Sequence, residues 1–96
     1  MTQTVEKPRV GGPGDTGLGG HWRVIVLNDE HNTFEGVASA LSSVLPGVSY
    51  DQGMAMANQI HSTGRAIVWS GAMELAEHYW EQLSARKLTM APLEQG

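Results

Sequence analysis

Side chains that could bind a charged ligand gather at two points of this sequence. The first is the polar run NDEHN at residues 28–32, which directly follows an apolar stretch, and the second is His61, which lies among apolar residues of helical spacing. If these two points meet in the fold, they enclose a pocket with an acidic, hydrogen-bond-accepting rim and an apolar floor. The N-terminus of a peptide suits such a pocket, because its ammonium offers three donors that amide, carboxylate and imidazole groups can accept.

Apolar periodicity and helix caps predict the elements that must position these side chains. Residues 22–27, WRVIVL, are apolar except for Arg23 and rich in β-branched side chains, which indicates a buried strand. Thr33 is placed to cap a first helix, which the Pro-Gly pair at residues 46–47 should end. Ser49 followed by Gln52 forms the capping box of a second helix, and Gly64 stands where that helix should end.

The second half of the chain predicts one more helix between two strands. Residues 65–69 indicate a strand, Ser70 is placed to cap a third helix, and the cations at residues 86–87 suit the end of that helix. Residues 88–93 indicate a last strand at the edge of the sheet, because Pro92 cannot donate to a ladder. The order β-α-α-β-α-β predicts a single small α+β domain, with three helices packed on a three-stranded, mainly antiparallel sheet.

The first twenty residues differ in composition from the rest of the chain. They contain six glycines and two prolines and few large apolar side chains. Such a segment cannot bury enough apolar surface to offset the entropy of ordering it. We therefore expect residues 1–20 to form a flexible N-terminal extension and residues 21–96 to form the folded core.

The bulk composition argues against several classes of function. Six Lys and Arg against ten Asp and Glu give a net charge of −4, whereas nucleic acid calls for a basic face. There is no cysteine, and His21, His31 and His78 lack the spacing of metal ligands, so we expect no metal and no cofactor. No apolar run approaches the roughly 20 residues of a membrane span. Without an apolar signal core at the start, the chain is expected to be cytoplasmic, with no membrane partner.

Two segments together resemble the paired signature of the ClpS family. Members of that family have an Asn-Asp-Asp turn after the first strand and a Val-His-x-x-Gly-Lys-Ala segment after the second helix. Here VLNDEHNTF stands at residues 26–34 and IHSTGRA at residues 60–66, and the resemblance extends over about residues 22–94. The segment at residues 88–94 is most similar to that of cyanobacterial or plastid members. If the chain comes from a plant or alga, the expected location is the plastid stroma instead of the cytoplasm.

This resemblance implies a non-enzymatic adaptor that is a monomer. Such adaptors recognise N-degrons, which are free N-terminal Phe, Leu, Tyr or Trp residues, and deliver the substrate to a Clp AAA+ protease. Asn28 and His61 would bind the α-amino group, while Asp29 and Glu30 would supply negative potential and hold a bridging water. Glu74 would dock on the N-terminal domain of an unfoldase of the ClpA or ClpC type. The pocket for the side chain would be lined by Val26, Leu27, Asn32, Phe34, Val37, Ala57 and Ile60.

Two other functions stay open on the residues alone. A small hydrolase could use Asp29, Glu30 and His61, although the chain has no nucleophile–base signature and no phosphate-binding glycine loop. Alternatively, the domain could be a scaffold that binds a partner or a peptide without leading to degradation. A scaffold of that kind would not discriminate between peptides that differ only in their first residue.

Overall fold

Helices and strands follow one another in the predicted order β-α-α-β-α-β in this computed structural model, which describes residues 21–96. The expected extension at residues 1–20 lies outside the described residues. The predicted α+β class and element order are confirmed. The elements are β1 (Trp22–Leu27), α1 (Phe34–Val44), α2 (Tyr50–Thr63), β2 (Arg65–Gly71), α3 (Met73–Ala85) and β3 (Glu94–Gln95).

Strand β1 is the centre of the antiparallel sheet, whose order is β2-β1-β3. Leu27 at the end of β1 pairs with Arg65 at the start of β2. Just beyond this pair, the backbone N–H of Asn28 donates to the Gly64 carbonyl at 2.9 Å. The sheet register therefore brings the polar run after β1 next to the end of α2, where His61 lies.

The predicted caps at the beginning of α1 and at both ends of α2 are confirmed. The Thr33 side chain accepts from the backbone N–H of Gly36. Ser49 and Gln52 form the full reciprocal capping box. Gly64 adopts the left-handed conformation with φ of 97°, which a glycine reaches without a Cβ penalty. Three predictions from local sequence thus define the helices that flank the candidate site.

The prediction that Ser70 caps α3 is wrong. Ser70 pairs with Arg23 in the ladder and Gly71 pairs with Trp22, so β2 runs two residues further than the apolar pattern indicated. Helix α3 begins at Met73 after Ala72, which offers no side-chain cap. Pairing with the central strand keeps Ser70 in extended conformation, and its propensity to cap a helix is not used.

The last strand was predicted at residues 88–93, but the structure has it at Glu94–Gln95. Residues 88–93 still run beside β1: Leu27 N–H donates to the Thr89 carbonyl at 2.8 Å, and Ala91 N–H donates to the Ile25 carbonyl at 3.0 Å. The segment is irregular because Pro92 has no N–H to continue the ladder. It buries Leu88, Ala91 and Leu93, whose spacing does not alternate as a regular strand requires.

Helices α1 and α2 pack closely because one glycine lies between them. A Cβ on Gly53 would lie 2.8 Å from the carbonyl oxygen of Ala38, a distance that side chains do not adopt. This close contact draws Ala57 and Ile60 of α2 into the same hydrophobic core as Val37 of α1. Over residues 21–96, no helix has both the length and the apolar character of a membrane span.

Candidate functional site

A cavity of about 210 Å³ opens where the end of β1, the start of α1, the second half of α2 and the turn after α3 come together. Every side chain that the sequence predicted for the pocket and its rim lines this cavity. Its lining consists of Val26, Leu27, Asn28, Asp29, Glu30, Asn32, Thr33, Phe34, Val37, Ala57, Ile60, His61, Leu88 and Thr89. The two segments that the opening argument required to meet, about thirty residues apart in the chain, thus line one cavity together with the turn after α3.

The inner part of the cavity is apolar and belongs to the core. Val37, Ala57 and Ile60 are all buried and are members of the same hydrophobic cluster. The rim is different, because Asn28, Glu30 and His61 are all exposed. The cavity therefore offers an apolar surface to a ligand beside polar groups that are exposed to solvent.

The position of His61 is set by α2 and by one aromatic contact. It lies in the last turn of the helix, and its ring meets the Phe34 ring edge-on with the centroids 5.2 Å apart. Helix C-termini carry a partial negative charge that favours nearby cations, typically by about 0.3–1 kcal/mol. The end of α2 thus adds to the electrostatic preference of the rim for a positively charged group.

The carboxylate of Asp29 is directed into its own loop and toward the turn after α3. One oxygen, Oδ1, accepts from the backbone N–H groups of His31 and Asn32, both at 2.8 Å. The other, Oδ2, accepts from the Asn32 side-chain amide at 2.8 Å and from the Thr89 hydroxyl at 2.7 Å. Burial works to raise the pKa of Asp29, but these hydrogen bonds, led by that of Thr89, outweigh it and lower the pKa to about 2.

This depressed pKa makes a part of the stability dependent on pH. Because the unfolded chain takes up the Asp29 proton at higher pH than the folded chain, the carboxylate stabilises the fold above about pH 4, and this contribution is lost as the pH falls toward about 2. We expect the Asp29→Asn variant to unfold at lower temperature than the unmodified protein at about pH 5, and the difference to shrink by about pH 2. Thermal unfolding followed by circular dichroism checks this. Asp51→Asn is the comparison, because exposed Asp51 contributes only the small stabilisation of a carboxylate in the first turn of a helix, about 0.3–1 kcal/mol. A difference that does not change with pH would contradict it.

Three lining residues were not among the predicted pocket residues: Thr33, Leu88 and Thr89. Thr33 was predicted only as a helix cap, although it stands between two predicted pocket residues. Leu88 and Thr89 come from the irregular segment after α3, where no local pattern points to a site. The one available signal was the pairing of antiparallel strands. A last strand antiparallel to β1 would begin near the end of β1, and therefore near the polar run that follows β1.

Glu74, the residue predicted to dock on an unfoldase, lies outside the cavity. It is exposed in the first turn of α3. The part of the chain that the structure describes contains no group of three or more His, Cys, Asp or Glu side chains arranged to hold a metal ion. What the cavity itself can do is bind: it combines hydrogen-bond acceptors at the rim with an apolar interior.

Comparison with known proteins gives a consistent result across sequence and structure. Residues 19–95 match the family model of the ATP-dependent Clp protease adaptor protein ClpS. The ClpS adapter proteins of Thermosynechococcus vestitus and of a Nostoc species are each 50% identical over 74 residues, which cover 77% of this chain and 79% and 76% of those proteins. The structure of Agrobacterium tumefaciens ClpS2 bound to L-phenylalaninamide has the same fold, with a TM-score of 0.73 and 23% identity over 80% of this chain and 98% of that chain.

Proposed function

This chain belongs to the ClpS family of adaptor proteins of the ATP-dependent Clp protease, and from that premise we propose that it selects substrates by a free, bulky hydrophobic N-terminal residue. The observation that carries the proposal is the cavity, in which an apolar floor lies directly beneath a rim of hydrogen-bond acceptors. The first residue of a peptide is the part of a protein that joins an ammonium group to a side chain at one carbon atom.

The rim has acceptors that are free to bind the ammonium. Within residues 21–96, the side chains of Asn28, Glu30 and His61 make no hydrogen bond or ion pair with another residue. An amide oxygen, a carboxylate and a neutral imidazole nitrogen can together accept three N–H donors. The charge of Glu30 and the C-terminal end of α2 favour the cationic form of the amine.

The floor selects the side chain. Fully burying a Leu or Phe side chain contributes about 1.5–3 kcal/mol, whereas Ala and Ser gain much less. Val37, Ala57 and Ile60 provide the buried surface for such a side chain, and we infer a preference for Phe, Leu, Tyr and Trp. L-phenylalaninamide, which the Agrobacterium protein binds, combines a free α-amino group with a phenyl ring, and we propose that this cavity binds the same two groups.

Delivery requires a second surface, away from the peptide site. Glu74 is exposed on α3 and does not line the cavity, so a partner bound there leaves the pocket open. We propose that this side chain docks on the N-terminal domain of a Clp AAA+ unfoldase of the ClpA or ClpC type. The cyanobacterial relatives support the cytoplasm as the place of action, and a chloroplastic relative in Chlamydomonas reinhardtii supports a plastid stroma if the source is a plant or alga.

The proposal is tested with peptides that differ only in their first residue. Fluorescence anisotropy should show Phe- and Leu-headed peptides binding about 10- to 100-fold more tightly than a Ser-headed peptide, from the burial energy at about 1.4 kcal/mol per tenfold. A peptide with Ser first and Phe second is the control for a non-specific apolar contact. Equal affinity for all of them would indicate a scaffold that does not read the first residue. A Phe-headed reporter protein, degraded by a Clp protease only when the adaptor is added, then tests delivery.

A further inference from the structure

The turn after α3 is tied to the rim of the cavity through one carboxylate. We propose that Asp29 and Thr89 form a clasp between the loop after β1 and this turn, and that Asp29 acts as a positioning residue instead of touching the ammonium. The inference deepens the proposed function and rests on it where peptide affinity is concerned. It adds Thr89 as a positioning residue and assigns the free acidic contact at the rim to Glu30.

The hydrogen-bonding capacity of Asp29 is used within the protein. An ionised carboxylate has about four lone-pair sites, and here four donors from His31, Asn32 and Thr89 occupy them at 2.7–2.8 Å. These are short, charge-assisted bonds. An ammonium ligand would have to displace one of them, whereas the Glu30 carboxylate makes no such bonds within the described chain.

The bonds of the clasp connect two walls of the cavity that are far apart in sequence. Thr89 and Asp29 are 60 residues apart, and the Asn32 side chain reaches across to the carbonyl of Lys87 at 3.1 Å. On its other side, the Thr89 carbonyl accepts from Leu27 at 2.8 Å. The segment that carries Leu88 and Thr89 is thereby held against the loop that carries Asn28 and Glu30.

The turn after α3 contains one residue in a left-handed conformation. Lys87 has a φ of 75°, a left-handed conformation that residues with a side chain rarely adopt. The end of α3 holds this conformation, because Lys87 N–H donates to the Ser84 carbonyl at 2.9 Å and Leu88 N–H donates to the Leu83 carbonyl at 3.3 Å, the two bonds of a Schellman motif. The helix end thus sets the shape of the turn, whereas the clasp sets its position against the loop after β1. Loss of the clasp should therefore loosen the wall of the cavity that carries Leu88.

The decisive variants change the hydroxyl and keep the shape. Thr89→Val should weaken binding of a Phe-headed peptide about fivefold, because a hydrogen bond to a charged group is lost and the wall is loosened. Thr89→Ser keeps the hydroxyl and should stay within about twofold of the unmodified protein. In an Asp29→Asn background, Thr89→Val should add almost nothing, since the two residues act as one unit. Exposed Asp51→Asn is the control for loss of charge.

Two further measurements separate positioning from a direct contact. Glu30→Gln removes an exposed charge, and salt screens such charges. The loss of peptide affinity in this variant should therefore be smaller at high salt than at low salt. The loss of affinity in Thr89→Val should be similar at both salt concentrations. Amide hydrogen exchange at His31 and Leu27 should accelerate in Thr89→Val and in Asp29→Asn but not in Thr89→Ser.

The clasp is overturned if Thr89→Val binds and exchanges like the unmodified protein, or if the effects of Thr89→Val and Asp29→Asn simply add. If no Phe-headed peptide binds to the unmodified protein, the proposed function fails instead. The exchange rates of the variants would still decide whether the clasp exists.

Discussion

Acetylating the N-terminus of a Phe-headed peptide should lower its affinity for this protein by about two orders of magnitude or more. The ammonium at the rim would donate to Asn28, Glu30 and His61, and hydrogen bonds involving a charged group contribute about 1.5–3 kcal/mol each. Acetylation removes the charge and two of the donors in one step. At about 1.4 kcal/mol per tenfold, losing two such bonds accounts for the expected effect.

The same hydrogen bonds can be removed by substituting their acceptors in the protein. Asn28→Ala and His61→Ala should each weaken binding of the free-amine peptide by about tenfold or more, since each leaves one donor without its acceptor. Both substitutions should matter much less for the acetylated peptide, which has lost the charge and two of the three donors. Asn58→Ala and His78→Ala are matched controls, because both side chains are exposed and neither lines the cavity. Equal binding of the free and acetylated peptides would contradict the whole assignment of the rim.

Ala57→Met should lower the affinity for a Trp-headed peptide much more than that for a Leu-headed peptide. Ala57 is buried in the lining of the cavity, so a longer side chain at this position takes up volume that the ligand would fill. Overpacking typically costs about 1–3 kcal/mol, which corresponds to about a 5- to 100-fold loss for the ligand that needs the most room. The indole ring of Trp is that ligand, whereas the shorter Leu side chain leaves space for the added atoms.

Calorimetry of both peptides with both proteins provides a four-point cycle. Ala55→Met is the matched control, because Ala55 lies on the same helix, two residues earlier, and is exposed. Thermal unfolding of each variant shows whether the core has been disturbed. If Ala57→Met weakens both peptides equally, or neither, then position 57 does not shape the space that the ligand side chain occupies.

Local sequence patterns were enough to predict the order of the elements and to single out the polar run at residues 28–32 and His61 as candidate ligand-binding residues. The caps at Thr33, Ser49 and Gly64 depend on contacts within a few residues, so sequence spacing was enough to predict them. His61 lies among apolar residues of helical spacing, and two of these, Ala57 and Ile60, are buried as that pattern indicates. An acidic, hydrogen-bonding rim above an apolar floor followed once the ends of β1 and α2 were assumed to meet.

Tertiary structure decided whatever depends on contacts between distant segments. Ser70 lies in a strand instead of capping a helix because its partner is Arg23 of β1, and residues 88–93 form an irregular wall because pairing with β1 is interrupted at Pro92. The roles of Leu88 and Thr89 were invisible for the same reason. Above all, the Asp29 carboxylate accepts a hydrogen bond from the Thr89 hydroxyl, which lies 60 residues away in the chain. Sequence spacing shows which groups can accept a hydrogen bond, but only the packing of the turn after α3 against β1 determines which of them are already bonded.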